Sequence, residues 1–376
     1  MRKKRTKRAN GEGTIFQRKD KRWVTRISVK GLNGKNKLIS EYSKDFDTAH
    51  KKLIQLQNKY LTGRIADCDN ITVWDWLNRY LNVYKKNKVR ESTYSSYYYT
   101  ANKHIKNSIG NMQLKKITPD LLQQFYDSKK NEVGSRSISL IRQLLNNSFQ
   151  KAITVGMLDR NPNDGTEIST IKYRQIQPFT PKEISKFIKI IDNHRNRMAI
   201  RLVLSTGLRL GELLALQCGD IDLKTGQLTI SRTVARVRTN EYNKKTKLIY
   251  QAPKTATSCN TINIPPMILK ELKKHILQLN NSDKHDLLFP SITGTQQDPK
   301  NCRNEYKKLL KQAGLPDNTF HALRHTFGSL LYEEGIDLKT IKEMLRHKNI
   351  NTTADIYVKM SKNRVDKANK KIEKFL

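Results

Sequence analysis

Two polar breaks, TGRIADCDN at 62–70 and DRNPNDG at 159–165, constrain this chain most, because its hydrophobic patterning changes character at each of them. Before the first break, short runs alternate in the way half-buried strands do: Thr14 to Gln17, Trp23 to Val29 and Lys37 to Glu41, with the turn residues GLNG between the last two. A helix is expected from about Thr48, where Ala49, Leu53, Leu56 and Tyr60 recur at helical spacing. Three strands and one helix make a small module.

Between the two breaks every apolar pattern is helical. Val73, Trp76, Leu77, Tyr80, Leu81 and Tyr84 share one face. Ser92 is a candidate cap for a second helix carrying Tyr94, Tyr98, Ala101 and Ile105. Thr118 before Pro119 opens a third, with Leu122, Phe125 and Tyr126, and Ser135 a fourth, with Ile138, Ile141, Leu145 and Ala152. The cluster YSSYYY at 94–99 reads as half core and half surface, with stacking on DNA as the alternative.

After the second break, KYRQIQ at 172–177 continues as a basic linker. A capping box then opens a new helix: Thr180 at the cap, Pro181 first and Glu183 reaching back, with Ile184, Phe187, Ile188 and Ile191 as its buried stripe. Helices around 195–218, strands between about 227 and 264, and helices to the end follow. The expected fold class is multidomain α+β. A small three-stranded-sheet-plus-helix domain with a basic tail spans 1–64, an all-helical domain 71–160, and a larger, mainly helical mixed domain 175–376.

Charge narrows the partner. The 376 residues hold 72 Lys and Arg against 34 Asp and Glu, a formal net charge of +38 spread along the whole chain. A compact monomer with that surplus repels itself, so a polyanion is the economical partner, and nucleic acid leads. No apolar run approaches the roughly 20 residues that span a bilayer. The basic start MRKKRTKR runs into polar residues rather than an apolar signal core, so a cytoplasmic location is expected and a membrane partner is not. Cys68, Cys218, Cys259 and Cys302 lie far apart, without CxxC or Cys/His zinc spacing, and read as reduced thiols. Neither a metal nor another cofactor is expected.

The chemistry-bearing residues cluster late in the chain. In STGLRLGELLAL, 205–216, Gly207 permits a helix stop and a new helix starts around Leu210 to Glu212. Arg209 then sits near a helix N-terminus, where free N–H groups favour an anion, and Glu212 three residues on can fix its guanidinium. In QAPKTATSCNTINIP, 251–265, a turn carrying Lys254 enters a strand. In HALRHTFGSLLYEEGIDLKTIKEMLRHKNINTTADIYVKM, 321–360, His321 and Arg324 are three apart and share a helix face, while Leu323, Phe327, Leu330 and Leu331 bury the other. His325 is read as structural and pointing elsewhere. A further helix with Ile341, Met344 and Leu345 inward ends near His347, with Asn349 as a candidate cap, and Tyr357 follows ten residues later. Each of these residues alone reads more simply as core or surface; their joint pattern does not.

Arg209 in TGLRLGEL, His321 and Arg324 in HALRH, His347 in LRHKN and Tyr357 in ADIY resemble the tyrosine recombinases, or phage-type integrases, in order, spacing and flanking residues over about 180–360. The segment around Lys254 is similar to the family's lysine hairpin. Arg346 stands where the family commonly has glycine. The resemblance implies a tyrosine-recombinase catalytic domain behind a helical core-binding domain, and the N-terminal module resembles the arm-binding domain of phage and conjugative-transposon integrases. It implies a catalytic set of Arg209, Lys254, His321, Arg324, His347 and Tyr357, with Tyr357 as nucleophile and Glu212 in support. It also implies double-stranded DNA with core and arm attachment sites as substrate, a homotetramer on DNA, and a host bending protein and an excisionase as further partners. The C-terminal stripe Val365, Ala368, Ile372 and Phe375 can pack on its own domain or dock on a neighbouring subunit.

Other readings explain less. A type IB topoisomerase shares the site but not the small N-terminal module, and a chromosome-dimer resolvase usually lacks that module too. A non-catalytic DNA-binding regulator accounts for the charge but not the six-residue constellation. A metal-dependent nuclease wants paired carboxylates, which the histidine-rich region lacks.

Overall fold

The alternation and capping signals correspond to real elements in a computed structural model that describes residues 12–30, 36–61, 70–168, 177–239, 246–252, 260–279 and 283–347. The chain divides into two compact units, 1–172 and 173–376. The basic tail at 1–10, the GLNG turn, most of the KYRQIQ linker, Lys254, Asn349, Tyr357 and the C-terminal stripe lie outside the described residues.

The first unit opens with an antiparallel sheet of β1 (Thr14–Gln17), β2 (Trp23–Lys30) and β3 (Asn36–Ser43), in that spatial order. Helix α1 (Phe46–Leu61) covers one face. Ile27 and Leu56 are buried between them with Ile39 alongside, and the Thr25 hydroxyl donates to the Ala49 carbonyl at 2.8 Å. The helix begins before the expected Thr48, because the Asp45 carboxylate accepts the Thr48 N–H at 2.7 Å and so satisfies a free first-turn donor. Apolar periodicity locates a buried face, not the cap that precedes it.

The helical part follows. In α2 (Val73–Arg79) Thr72 and Asp75 form a reciprocal capping box, and the helix runs on through a π-helical turn at Tyr80–Lys85. Helix α3 (Glu91–Thr100) also runs into a π-helical turn, Ala101–Lys106. Its cap position is Arg90, whose side chain makes no capping hydrogen bond, so Ser92 lies inside the first turn rather than capping it. Thr118 caps α4 (Pro119–Lys130), accepting from the Leu121 N–H at 3.3 Å with Pro119 first, and α5 (Ser135–Thr154) completes the set. Trp76 is fully buried and donates its indole N–H to the Ser148 carbonyl at 2.9 Å, tying α2 to α5. The tyrosine cluster is shared between core and surface: Tyr94, Tyr97 and Tyr98 pack against the core while the Lys103 ammonium lies 5.6 Å from the Tyr99 ring centre.

The second polar break is more than a turn. Asn163 is fully buried; its side-chain oxygen accepts from the Tyr126 hydroxyl at 2.7 Å and its amide donates to the Arg142 carbonyl at 3.0 Å. Polar residues that read as a loop therefore fasten this segment onto α4 and α5.

The second unit has a core that runs from Phe179 to Leu323 in sequence. Its capping box at Thr180 and Glu183 opens α6 (Pro181–Ile191), with both reciprocal bonds made. Next come α7 (Arg197–Thr206), the one-turn α8 (Leu210–Leu214), and a small sheet of β4 (Ile221–Asp222), β5 (Gln227–Ile230) and β8 (Asn260–Asn263). Between β5 and β8 the hairpin β6 (Thr233–Arg238) and β7 (Thr246–Gln251) stands as a separate pair. Helices α9 (Pro266–Gln278), α10 (Pro299–Gln312), α11 (His321–Glu333) and α12 (Leu338–Leu345) follow. Among the described residues no helix is long and apolar enough to cross a membrane.

One expectation is corrected here. Helix α11 does not divide into a polar and an apolar face in its first two turns: Ala322 through Ser329 are all buried, including Arg324, His325 and Thr326. These two turns are embedded on all sides, and the Arg324 and Thr326 side chains reach backbone carbonyls. Thr326 also accepts the Phe179 N–H at 2.9 Å.

Candidate active site

Two chain reversals help assemble the site, and each has a local cause. Helix α7 ends at Gly207, whose φ of 64° is left-handed, and a Cβ there would lie 2.7 Å from Phe327 and 2.9 Å from Leu345. Only glycine meets both demands, for the backbone sign and for the close approach of α11 and α12. Two residues later Arg209 takes the N-cap position of α8 in extended backbone, so its side chain leaves the fold at a helix start. Glu212 sits at the third helical position, where its carboxylate accepts the Arg209 N–H at 3.1 Å and the Arg209 Nη1 at 2.7 Å. Sequence spacing anticipated both the helix start and this pair.

Arg324 comes from the first turn of α11 and is 1% exposed. Its guanidinium donates to the Gly207 carbonyl at 2.5 Å and to the Leu345 carbonyl. These oxygens belong to the C-terminal ends of α7 and α12, where helices leave carbonyls without intrahelical partners and carry partial negative charge. A single buried cation therefore joins two helix ends.

Helix α12 ends differently from the sequence expectation of a cap near Asn349. Arg346 itself adopts the left-handed conformation, φ 56° and ψ 45°, directly after Leu345. That turn brings His347 back toward α11, with its N–H donating to the Lys342 carbonyl at 3.0 Å. The Arg346 side chain folds inward, donating from Nη2 to Glu212 at 3.0 Å, while its carbonyl accepts from Arg209 Nη2 at 3.3 Å.

His321, the first residue of α11, keeps an exposed edge but is crowded on its inner side. His325 does not point away from it. The two are four apart on one helix, and their rings meet edge to face at 4.6 Å between centres. Burial, together with His325 and the Arg324 and Arg209 cations, brings the His321 pKa down to about 4. Burial and Arg324 bring His325 to about 4, and burial with Arg324, Arg209 and the other two rings brings His347 to about 3. Near neutral pH these three imidazoles are uncharged, able to accept a proton or donate a neutral N–H.

Glu212 is the counterweight. Burial alone would raise its carboxyl, but the Arg346 and Arg209 cations overcome that and hold it below its ordinary value. Two guanidiniums, one carboxylate and three neutral rings thus share one surface with the buried Arg324. A cavity of about 370 Å³ opens beside Arg209 and His321, with Arg303, Lys307, Tyr306 and Phe320 on its wall. The arrangement suits an anion bearing several oxygens, and guanidiniums suit phosphate in particular. Among the described residues no three His, Cys, Asp or Glu side chains group as metal ligands.

The structure brings together Arg209, Glu212, His321, Arg324 and His347, while Lys254 and Tyr357 lie outside the described residues. Sequence reasoning missed Arg346 and misplaced His325. The signal for His325 was present, since positions four apart on a helix are neighbours. For Arg346 there was only its place in a motif where glycine is common.

The ring environments set an expected pH response. Each ring binds its proton less readily folded than unfolded, so between the ordinary value of 6.5 and about 4 the unfolded chain carries more protons. Stability rises with pH across that window and falls on acidification. Melting temperature should drop between pH 7 and pH 5, and His325→Asn, which removes a 7%-exposed ring, should lessen the drop. Equal drops in both proteins would exclude this ring as a source.

The match to known proteins covers both units. Residues 177–364 match the phage integrase family, and residues 72–130 match the N-terminal SAM-like domain of phage integrases. A XerC-like tyrosine recombinase of Caldanaerobacter subterraneus subsp. tengcongensis is 31% identical over 351 residues, spanning 87% of this chain and 90% of that protein. Residues 82–397 of the Tn1549 transposon integrase, solved as an arginine-to-lysine variant in complex with a circular intermediate DNA, superpose with a TM-score of 0.69 at 20% identity over 81% of this chain and 100% of that fragment. The lambda integrase, solved as a tetramer bound to a Holliday junction, gives a TM-score of 0.57 at 21% identity over 92% of this chain and 97% of that one. These two likenesses are of fold, whereas the domain matches and the bacterial relative fix descent: the chain belongs to the phage integrase family of tyrosine recombinases.

Proposed function

We propose that this tyrosine recombinase is an integrase, which cuts and rejoins double-stranded DNA through a 3′-phosphotyrosyl intermediate to insert and remove a mobile element. The observation that carries the reading is that Arg209, Arg324, His321 and His347 lie close enough to perturb one another, beside the Glu212 carboxylate that pairs with Arg209, in a chain whose net charge is +38. Cleaving a phosphodiester this way needs positive charge at the non-bridging oxygens, and Arg209 and Arg324 supply it. His321, uncharged near neutral pH, accepts the phenol proton as the Tyr357 oxygen bonds to phosphorus. The bond from phosphorus to the 5′ oxygen breaks, and Lys254 protonates that oxygen as it leaves. His347 donates a hydrogen bond to a phosphoryl oxygen. A partner strand's 5′ hydroxyl then attacks the phosphotyrosine and restores the tyrosine, so no ATP is consumed.

Two such exchanges between two sites pass through a four-way junction and require four active sites, hence a homotetramer on DNA. Residues 71–160 serve as the core-binding clamp, 175–376 as the catalytic domain, and 1–64 as the reader of accessory arm sites. A host bending protein and an excisionase set direction, and the reaction takes place on DNA in the bacterial cytoplasm. A chromosome-dimer resolvase, the alternative reading, shares the chemistry but needs no arm sites.

Tyr357→Phe removes only a hydroxyl. It should abolish covalent capture on a nicked suicide substrate while DNA binding stays within about twofold, the ordinary scale of a surface change. An adduct formed by this variant would move the nucleophile elsewhere. Lys254→Ala should cleave normal DNA poorly yet recover on DNA with sulfur at the bridging 5′ position, since that leaving group needs no proton. Equal defects on both substrates would reassign the general acid, with Lys247 of β7 next in line. Deleting residues 1–64 should spare core-site binding but impair integration; undiminished integration would favour the resolvase reading.

A further inference from the structure

Arg346 occupies a position that stability alone does not explain. Its left-handed backbone, φ 56°, is one that side chains with a Cβ adopt reluctantly and glycine adopts freely. Among the described residues only Lys21 shares that feature. The Arg346 side chain is also 6% exposed, with Nε and Nη1 buried and lacking hydrogen-bond partners among the described residues. A buried guanidinium with unused donors is unfavourable for folding, so glycine would suit this turn better on both counts.

What the side chain does instead is close a ring. Arg346 Nη2 donates to one Glu212 oxygen at 3.0 Å, and Arg209 Nη1 donates to the other at 2.7 Å. Arg209 Nη2 in turn donates to the Arg346 carbonyl at 3.3 Å. The ring links the start of α8 to the end of α12 across 134 residues of sequence. It fixes the Arg209 fork by both of its terminal nitrogens. Without Arg346 the Glu212 carboxylate loses a cation on one side, and Arg209 can follow it into the space left behind. The next residue is His347, so the same turn sets where that ring stands.

We propose that Arg346 is a positioning residue for strand cleavage: through Glu212 it holds the Arg209 guanidinium in the orientation that meets the scissile phosphate. The inference rests on the phosphoryl-transfer reading of this site, and a control separates the two. Arg346→Gly relieves the left-handed strain, so the melting temperature of the full-length protein should hold or rise. Single-turnover covalent capture on a suicide substrate should nevertheless slow by about 10- to 100-fold, the scale of one charge-assisted hydrogen bond. Arg346→Lys, which keeps charge and reach, should retain most of the rate, and Arg346→Met should not. Glu212→Gln combined with Arg346→Gly should be no slower than the slower single variant, because both break one ring. A methylphosphonate at the scissile position lacks one charged oxygen and demands less of Arg209; on it the Arg346→Gly defect should shrink together with that of Arg209→Ala. A purely structural role would leave the defect the same on both substrates, and that outcome overturns the proposal. So do unchanged rates in both Arg346→Gly and Arg346→Met when Arg209→Ala remains inactive. Full capture by Arg209→Ala would instead overturn the reading of the site itself.

Discussion

Arg324 holds the second unit of the molecule in register. Its guanidinium lies almost wholly out of water and donates to the carbonyls of Gly207 and Leu345, the ends of α7 and α12. A charged donor between two helix C-termini is favoured by both partial negative ends, and removing either partner would leave a buried charge uncompensated. The consequence is geometric. With α7 and α12 tied to the same side chain of α11, the residues just past each helix end, Arg209 and His347, are delivered to one place. Gly207 makes this possible, because any side chain there would collide with Phe327 and Leu345.

Around that tie the site concentrates positive groups and limits negative ones. Glu212 is the carboxylate between Arg209 and Arg346, and its charge keeps two neighbouring guanidiniums from repelling each other out of the site. The three imidazoles respond in the opposite direction, staying uncharged because burial and the nearby cations disfavour a further proton. On the proposed function, a phosphodiester entering this surface would meet fixed cations and neutral proton acceptors together. Preorganisation of this kind stabilises developing charge without reorganising the protein during the reaction.

Much of this was legible beforehand, for a local reason. Thr180, Pro181 and Glu183 mark a helix start by chemistry confined to four residues, and the structure makes the reciprocal bonds they call for. Gly207, Arg209 and Glu212 work likewise: a left-handed stop, an N-cap and a partner one turn on. The failures share a cause as well. Ser92 looked like a cap and Thr48 like a helix start, yet Arg90 takes the first place and α1 begins earlier with Asp45 accepting the Thr48 N–H, since several polar residues near a boundary compete and the winner depends on chain entry. Asn163 read as turn chemistry because no sequence pattern announces that Tyr126 and the Arg142 carbonyl await its amide.

The sequence by itself determined the elements, the change from strand to helix patterning after 62–70, the surplus of cations, and the motif order from Arg209 to Tyr357 that places the chain among the tyrosine recombinases. Those features depend on spacing along the chain or on composition, and neither needs a fold to be read. Tertiary structure alone decided that the first two turns of α11 are buried on all sides and that Arg346 turns inward to Glu212. Each of these depends on which distant carbonyl or carboxylate packing brings within about 3 Å, a distance set by helices far apart in sequence.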